Sequence, residues 1–147
     1  MQKLIYSVII NAEKSHVWDT MLDPEKYPQW VKAFSANSQF VGEWKKDAIV
    51  KFIDPNMGGT KAILEEFEPY ECILAKHISM VNKDGSEETE NEMAKKWIGT
   101  TEKYILKALK NSTELIIEMN THCDFSEMFN NCWPKALELL KGLSEKR

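Results

Sequence analysis

One carboxylate stands out in the stretch IGTTEKYIL, residues 98–106. Alternate side chains of a β-strand share a face, so Lys103 and Lys107 should point to water. The opposite face then carries Ile98, Thr100, Glu102, Tyr104 and Leu106. An inward carboxylate is costly unless it is paired, hydrogen-bonded or exposed to a wet cavity. Glu102 is therefore a candidate to orient a ligand, or to serve as an acid or base with a raised pKa.

A structural role for Glu102 is the alternative. Gly99 could seat a β-bulge that shifts the register and turns Glu102 outward. The carboxylate could instead bond tyrosine or tryptophan groups near the surface of the core. Glu102 faces inward both in a functional role and in a structural hydrogen bond, whereas a bulge near Gly99 would turn it outward.

Other residues capable of chemistry are scattered. His16 is expected on an exposed helical turn and His122 on an outer strand face, while the parity of His77 is ambiguous. No two histidines share metal-ligand spacing, so neither a metal site nor a cofactor is expected. No nucleophile triad, glycine-rich dinucleotide motif or phosphate loop occurs, and no catalytic residue is assigned. Cys72, Cys123 and Cys132 lack paired spacing, which indicates reduced thiols in a cytoplasmic protein.

The segment DPEKYPQW, residues 23–30, places two large aromatic side chains in a connector. Asp23 can cap a short helical turn that begins at Pro24, and Pro28 is expected to end it. Tyr27 and Trp30 would then lie at the rim of whatever the core encloses. Trp30 could equally be wholly structural, because aromatics at the junctions of elements commonly plug a core.

The elements that position these residues follow a simple order. A strand at residues 3–10 precedes a helix capped by Asn11 and running to about Leu22. A run of strands follows, including one that starts near Lys96 and one whose inward residues are Leu115, Ile117, Met119, Thr121 and Cys123. The last segment has apolar residues at helical spacing, and a capping box of Asp124 and Glu127 can begin it. Pro134 is expected to kink that helix or to mark its true start.

This order predicts an α+β domain in which an antiparallel sheet covers one long amphipathic helix. The length of 147 residues suits a single domain, residues 1–147. A net charge of −4 argues against a nucleic-acid partner. No apolar stretch of membrane-spanning length occurs, so membrane insertion is not expected.

Several stretches resemble the START/SRPBCC superfamily, in the branch named for the activator of heat-shock protein 90 ATPase. They are VWDTMLDPEKYPQW (17–30), VGEW (41–44), KWIGTTEKYIL (96–106) and WPKALELLKGL (133–143). The resemblance implies the helix-grip fold, in which a curved antiparallel sheet wraps a C-terminal helix, often with a hydrophobic cavity between them. Eukaryotic co-chaperones of this type carry an additional N-terminal chaperone-binding domain, whereas this sequence opens at the first strand, so a stand-alone domain is expected.

Three functions are compatible with that fold. The leading hypothesis is a protein that binds a small apolar or amphipathic molecule, acting as a monomer or dimer. The alternatives are a protein-interaction module such as a chaperone regulator, with a protein partner, and an enzyme acting on an aromatic or polyketide-like substrate. An open pocket with polar groups favours binding or catalysis, and a filled core favours interaction. The expected ligand-binding residues are Tyr6, Trp30, Phe52, Glu102, Tyr104, Met119, Phe129 and Trp133.

Overall fold

The computed structural model describes residues 1–146, and its main element is one antiparallel sheet. The eight strands are β1 (Gln2–Ile10), β2 (Gln39–Val41), β3 (Ile49–Asp54), β4 (Gly58–Glu68), β5 (Cys72–Val81), β6 (Glu87–Glu88), β7 (Thr101–Leu109) and β8 (Ser112–Thr121). The strand order is β1-β8-β7-β5-β4-β3-β2, with the short β6 pairing to β5. The first strand thus pairs with the last one, so that Gln2 lies opposite Thr121, shortly before the start of the C-terminal helix at Ser126.

Four α-helices connect or close the sheet. They are α1 (Lys14–Leu22), α2 (Tyr27–Val31), α3 (Glu92–Trp97) and α4 (Ser126–Glu145). The arrangement of a curved sheet around a long C-terminal helix is the helix-grip fold, so the expected fold is confirmed. Among residues 1–146, none of the helices combines the length and the apolar character that crossing a membrane requires.

The core lies between the inner face of the sheet and α4. This helix is the longest of the four at 20 residues, and it buries Phe129, Trp133, Leu137 and Leu140 as their helical spacing predicts. Pro134 does not mark the start of α4, because the helix begins at Ser126 and continues through it. The proline lies on the exposed side, where its ring meets solvent and not the packed sheet.

The start of α1 and the connector at residues 23–30 each differ from the prediction in one respect. Asn11 does not cap α1, which begins at Lys14; the backbone N–H of Asn11 instead donates to Glu145 Oε2 at 2.8 Å. Asp23 does cap a turn, since its Oδ1 accepts from the backbone N–H of Glu25 at 2.8 Å. Pro28 lies in the first turn of α2 and does not end a helix, because the missing N–H of proline costs nothing there.

The segment before β7 is a helix where a strand was predicted. The side chain of Asn91 caps α3 by accepting from the backbone N–H of Ala94 at 2.7 Å. Gly99 then adopts a φ of +91°, a conformation that glycine reaches without strain, and β7 begins at Thr101. The chain reverses between α3 and β7, so the glycine redirects the backbone without turning Glu102 outward.

The start of α4 also departs from the predicted capping box. A 3-10 turn at Cys123–Phe125 precedes the helix, and the His122 side chain accepts from the backbone N–H of Asp124 at 3.0 Å. The Asp124 carboxylate accepts from Lys96 Nζ at 2.6 Å. Cys123 was predicted to face inward but is exposed, because β8 ends at Thr121 before the alternation reaches it.

Leu140 offers a direct test of the buried stripe of α4. Leu140→Ala should lower the free energy of unfolding by roughly 2–5 kcal/mol, because it leaves a cavity at a fully buried site. Leu139→Ala is the matched control in the same helix, and its half-buried side chain should give a clearly smaller loss. Urea titration of both variants measures the difference, and equal losses would contradict the packing of α4 described above.

Candidate functional site

A cavity of about 330 Å³ lies between the sheet, α2, α3 and the first turns of α4. Its rings come from Tyr27, Trp30, Phe34, Trp97, Phe129 and Trp133. Its polar groups come from Ser38, Thr60, His77, Glu102 and Tyr104, with Val31 and Met128 completing the wall. Met128 is 38% exposed, and Phe34 and Ser38 are half-buried, so these three residues mark the entrance.

Trp133 of α4 brings the helix into this wall. Its ring centroid lies 4.9 Å from that of Phe34 and 6.0 Å from that of Tyr104, in near-perpendicular arrangements. Trp30 lies 6.3 Å away on the α2 side. The contacts of Trp133 with Phe34 and Tyr104 are edge-to-face, an arrangement that the charge distribution of aromatic rings favours. The wall is therefore a continuous aromatic surface built from three separate parts of the chain.

Glu102 lies on the inner face of β7, as strand parity predicts. It pairs in register with Ala75 of β5 and Met119 of β8, and its side chain is 13% exposed. The Tyr104 hydroxyl donates to Glu102 Oε2 at 3.1 Å, and His77 Nε2 lies 3.5 Å from Glu102 Oε1. Within residues 1–146 the cavity wall contains no lysine or arginine, so the carboxylate has no cationic side chain beside it.

Burial dominates the electrostatics of this group. Removal from water disfavours the charged form and raises the pKa of Glu102 to about 7, although the hydrogen bond from Tyr104 works in the opposite direction. Burial together with the neighbouring Glu102 charge also raises the pKa of Tyr104 and of Tyr27 well above the usual value. Both phenols therefore remain protonated, and Glu102 is poised to change charge near neutral pH.

Three polar residues of the cavity were not predicted from the sequence, Ser38, Thr60 and His77, and of these only His77 is ionisable. Its side chain is 2% exposed, and burial lowers its pKa to about 3, so the imidazole is neutral. Its Nδ1 lies 2.9 Å from the Thr60 hydroxyl, and its ring lies 4.6 Å from that of Trp97 in α3, at an interplanar angle of 40°. The signal was present in β5, because Ile73, Ala75 and His77 alternate with Lys76, which should face water.

Five of the eight expected ligand-binding residues lie on the cavity wall: Trp30, Glu102, Tyr104, Phe129 and Trp133. Trp30 is not at the mouth, however. It is 1% exposed, and its indole N–H donates to the Met21 carbonyl at 3.2 Å, so it forms part of the inner wall. Tyr27, also expected at the rim, is 7% exposed.

The other three residues, Tyr6, Phe52 and Met119, are not part of the wall. The Tyr6 hydroxyl donates to Asn130 Oδ1 at 2.6 Å, so α4 covers this side chain. Phe52 packs behind α2, with its ring 6.3 Å from Tyr27. Met119 lies on β8, whereas the cavity extends from Glu102 in the other direction, toward β5 and β4. An inward-facing residue of a strand can lie either in the packed core or on the cavity wall, and strand alternation does not tell these two positions apart.

A second cluster of potential ligand atoms lies at the start of α4. Side-chain atoms of His122, Cys123 and Asp124 lie within 4.8 Å of one another. These groups are already engaged, since His122 Nδ1 accepts a backbone hydrogen bond and Asp124 pairs with Lys96. The cluster is largely exposed and is better explained as the cap of the 3-10 turn.

Comparison with known proteins identifies a shared fold. No protein-family model matches the sequence, and no curated protein matches it. The solution structure of the Aha1 dimer from Colwellia psychrerythraea matches with a TM-score of 0.75 at 18% identity, over 99% of this chain and 98% of that one. CalU16 from Micromonospora echinospora matches with a TM-score of 0.67 at 15% identity, over 98% of this chain and 76% of that one.

A third match is DynU16, a protein of the dynemicin biosynthetic locus, with a TM-score of 0.74 at 14% identity. It covers 99% of this chain, which spans 48% of the DynU16 chain. The helix-grip fold implied by the sequence resemblance is thus found in solved structures that include an Aha1 protein. At these identities the comparison establishes the architecture, and the function has to be argued from the cavity.

The raised pKa of Glu102 predicts a specific pH dependence of stability. Above pH 4.5 the unfolded chain loses the Glu102 proton, whereas the folded chain keeps it until pH reaches about 7. The unfolded state then binds fewer protons, so this residue makes the protein less stable as pH rises through that window. Relative to Glu102→Gln, the wild type should lose roughly 3 kcal/mol between pH 4 and pH 8, at 1.36 kcal/mol per pH unit.

Urea titrations at pH 4 and pH 8 measure this change. His77 titrates in the opposite direction, but it is present in both proteins and its contribution cancels in the comparison. Glu118→Gln is the control, since Glu118 lies on the outer face of β8 and pairs with Lys3. A stability difference between wild type and Glu102→Gln that stays constant from pH 4 to pH 8 would show that Glu102 is well solvated.

Proposed function

We propose that this protein binds one small apolar or amphipathic molecule in the cavity between the sheet and α4. The observation that carries the proposal is the composition of the wall, a continuous aromatic surface with a few convergent polar groups. Binding would draw its free energy from desolvation of the apolar part of the ligand. Glu102 and Tyr104 would orient its polar part.

Unsatisfied polar atoms inside the cavity support this proposal. His77 Nε2 and Trp133 Nε1 are both buried and have no hydrogen-bond partner among residues 1–146. Buried polar groups are almost always hydrogen-bonded, and each exception calls for an explanation. Both side chains line the cavity, so a ligand that reaches these two buried atoms would supply the missing partners, whereas the four other unpaired side-chain atoms of residues 1–146 lie outside the wall.

The cavity also favours ligand binding over a role as a pure interaction module. A protein that acts only through its surface has no use for a half-open cleft lined by aromatic rings, because leaving apolar surface in contact with water costs free energy. A chaperone regulator built on this fold would be expected to fill its core. The wall here instead leaves about 330 Å³ and directs a carboxylate toward it.

A bulky residue at the entrance tests the proposal. The neutral fluorescent probe N-phenyl-1-naphthylamine should bind saturably with one site per chain, because its rings match the aromatic wall. Ser38→Trp should weaken this binding by roughly tenfold or more by obstructing the entrance. Fluorescence titration measures both affinities.

The matched control is Ala36→Trp, which adds the same ring to an exposed neighbour that does not line the cavity. This variant should bind the probe as the wild type does. Equal weakening in the two variants would place the probe elsewhere on the surface. Absence of saturable binding to the wild type would contradict the proposed function itself.

A further inference from the structure

We propose that the cavity is selective for a primary ammonium carried on an aromatic body, with the ammonium bridging Glu102 Oε1 and His77 Nε2. This inference rests on the proposed function, since it names the class of molecule that the cavity takes. It follows from three features of the site: the tautomer of His77, the missing hydrogen-bond donor between two acceptors, and the absence of a cation in the wall.

The contacts of Thr60 favour one tautomer of His77, the one that satisfies every hydrogen-bonding group around this hydroxyl. The Trp97 indole N–H, which can only donate, donates to Thr60 Oγ1 at 2.7 Å. The Thr60 hydroxyl donates its one hydrogen to the Ser79 carbonyl at 3.1 Å, because a carbonyl can only accept. The contact of 2.9 Å between Thr60 Oγ1 and His77 Nδ1 is then satisfied by a hydrogen on Nδ1. The neutral imidazole therefore directs the bare lone pair of Nε2 toward Glu102 Oε1, 3.5 Å away, and a ligand must shift neighbouring side chains slightly to reach this buried atom.

Two hydrogen-bond acceptors consequently face each other inside the cavity. His77 Nε2 and an oxygen of ionised Glu102 lie 3.5 Å apart, and no protein group among residues 1–146 donates to Nε2. One solution is a proton on Glu102, which its raised pKa allows near neutral pH. A primary ammonium is a second solution, since it has three N–H groups and can donate to both acceptors at once.

The surroundings of Glu102 favour a bound ammonium over a proton on the carboxyl group. No lysine or arginine of the described chain lines the cavity, so a ligand ammonium would be the first cation to meet the Glu102 carboxylate. Aromatic faces attract cations, and Trp97, Phe129 and Trp133 lie in the same wall. A buried charge pair with completed hydrogen bonds also removes the cost of leaving the carboxylate alone.

The same arrangement predicts coupling between binding and protonation. The ionisable groups that face Glu102 are His77 from β5, Tyr104 from its own strand and Tyr27 from α2. The residues that α3 and α4 contribute to the wall are not ionisable. His77 is neutral and both tyrosines are protonated across pH 6–8, so Glu102 alone changes charge there.

The experiment compares two ligands of matched shape by isothermal titration calorimetry on the full chain. The probes are 1-naphthylmethylamine, which is cationic, and 1-naphthylmethanol, which is neutral. At pH 8 the amine should bind roughly tenfold or more tightly than the alcohol. From pH 8 to pH 6 its affinity should fall about tenfold, because Glu102 must lose its proton to accept the ammonium. The affinity of the alcohol should vary little.

Variants identify the two acceptors. Glu102→Gln should remove both the preference for the amine and its pH dependence, whereas Glu118→Gln should retain them. The N,N-dimethyl derivative of the amine keeps the charge but has one N–H, so it should bind several-fold more weakly than the primary amine. His77→Phe removes the Nε2 acceptor, and it should abolish this difference between the two amines.

The outcomes separate this inference from the proposed function. If the alcohol binds and the amine binds no more tightly at pH 8, the ammonium inference is wrong while the cavity remains a ligand site. If the amine binds the wild type and Glu102→Gln equally, or its affinity does not change with pH, the inference is also overturned. If neither probe binds, the proposed function fails and the inference fails with it.

Discussion

A carboxylate held inside an aromatic cavity is the constraint on which this site depends. Glu102 meets a tyrosine hydroxyl and a neutral imidazole, and the wall supplies no cation within residues 1–146. An ionised group in such surroundings is disfavoured, so its charge depends on pH and on what enters the cavity. Burial of their own side chains likewise keeps His77 neutral and the phenols of Tyr27 and Tyr104 protonated, and the proposed preference for a donor ligand rests on the same surroundings.

The fold positions the carboxylate through elements that are distant in sequence. Strand β7 directs Glu102 inward, β5 sets His77 beside it, and β4 contributes Thr60, which fixes the orientation of the imidazole. Helix α3 then places Trp97 over His77, with its indole N–H bonded to the same hydroxyl. Helix α4 closes the other side with Phe129 and Trp133. The geometry of the polar groups is thus fixed by contacts from several elements that are far apart in the sequence.

Local periodicity predicted the parts of this arrangement that depend on one element. The apolar stripe of α4 and the inward direction of Glu102 follow from helical and strand repeats, which tertiary contacts did not override. The helix α3 was missed because it is short, and because its boundary with β7 depends on the positive φ of Gly99. Three of the expected ligand-binding residues do not line the cavity: Tyr6, Phe52 and Met119. Periodicity gives the face of a strand on which a residue lies, but it does not show where α4 and α2 fill the space above that face.

Glu102 is a buried carboxyl group that has no lysine or arginine beside it in the cavity wall of residues 1–146. Its side-chain ¹³C resonance, assigned by comparison with Glu102→Gln, reports its protonation directly as pH is changed. The account predicts a titration midpoint of about 7 in the protein without added ligand, and a lower midpoint when 1-naphthylmethylamine is bound. A midpoint near the ordinary value of 4.5 in the free protein would contradict it.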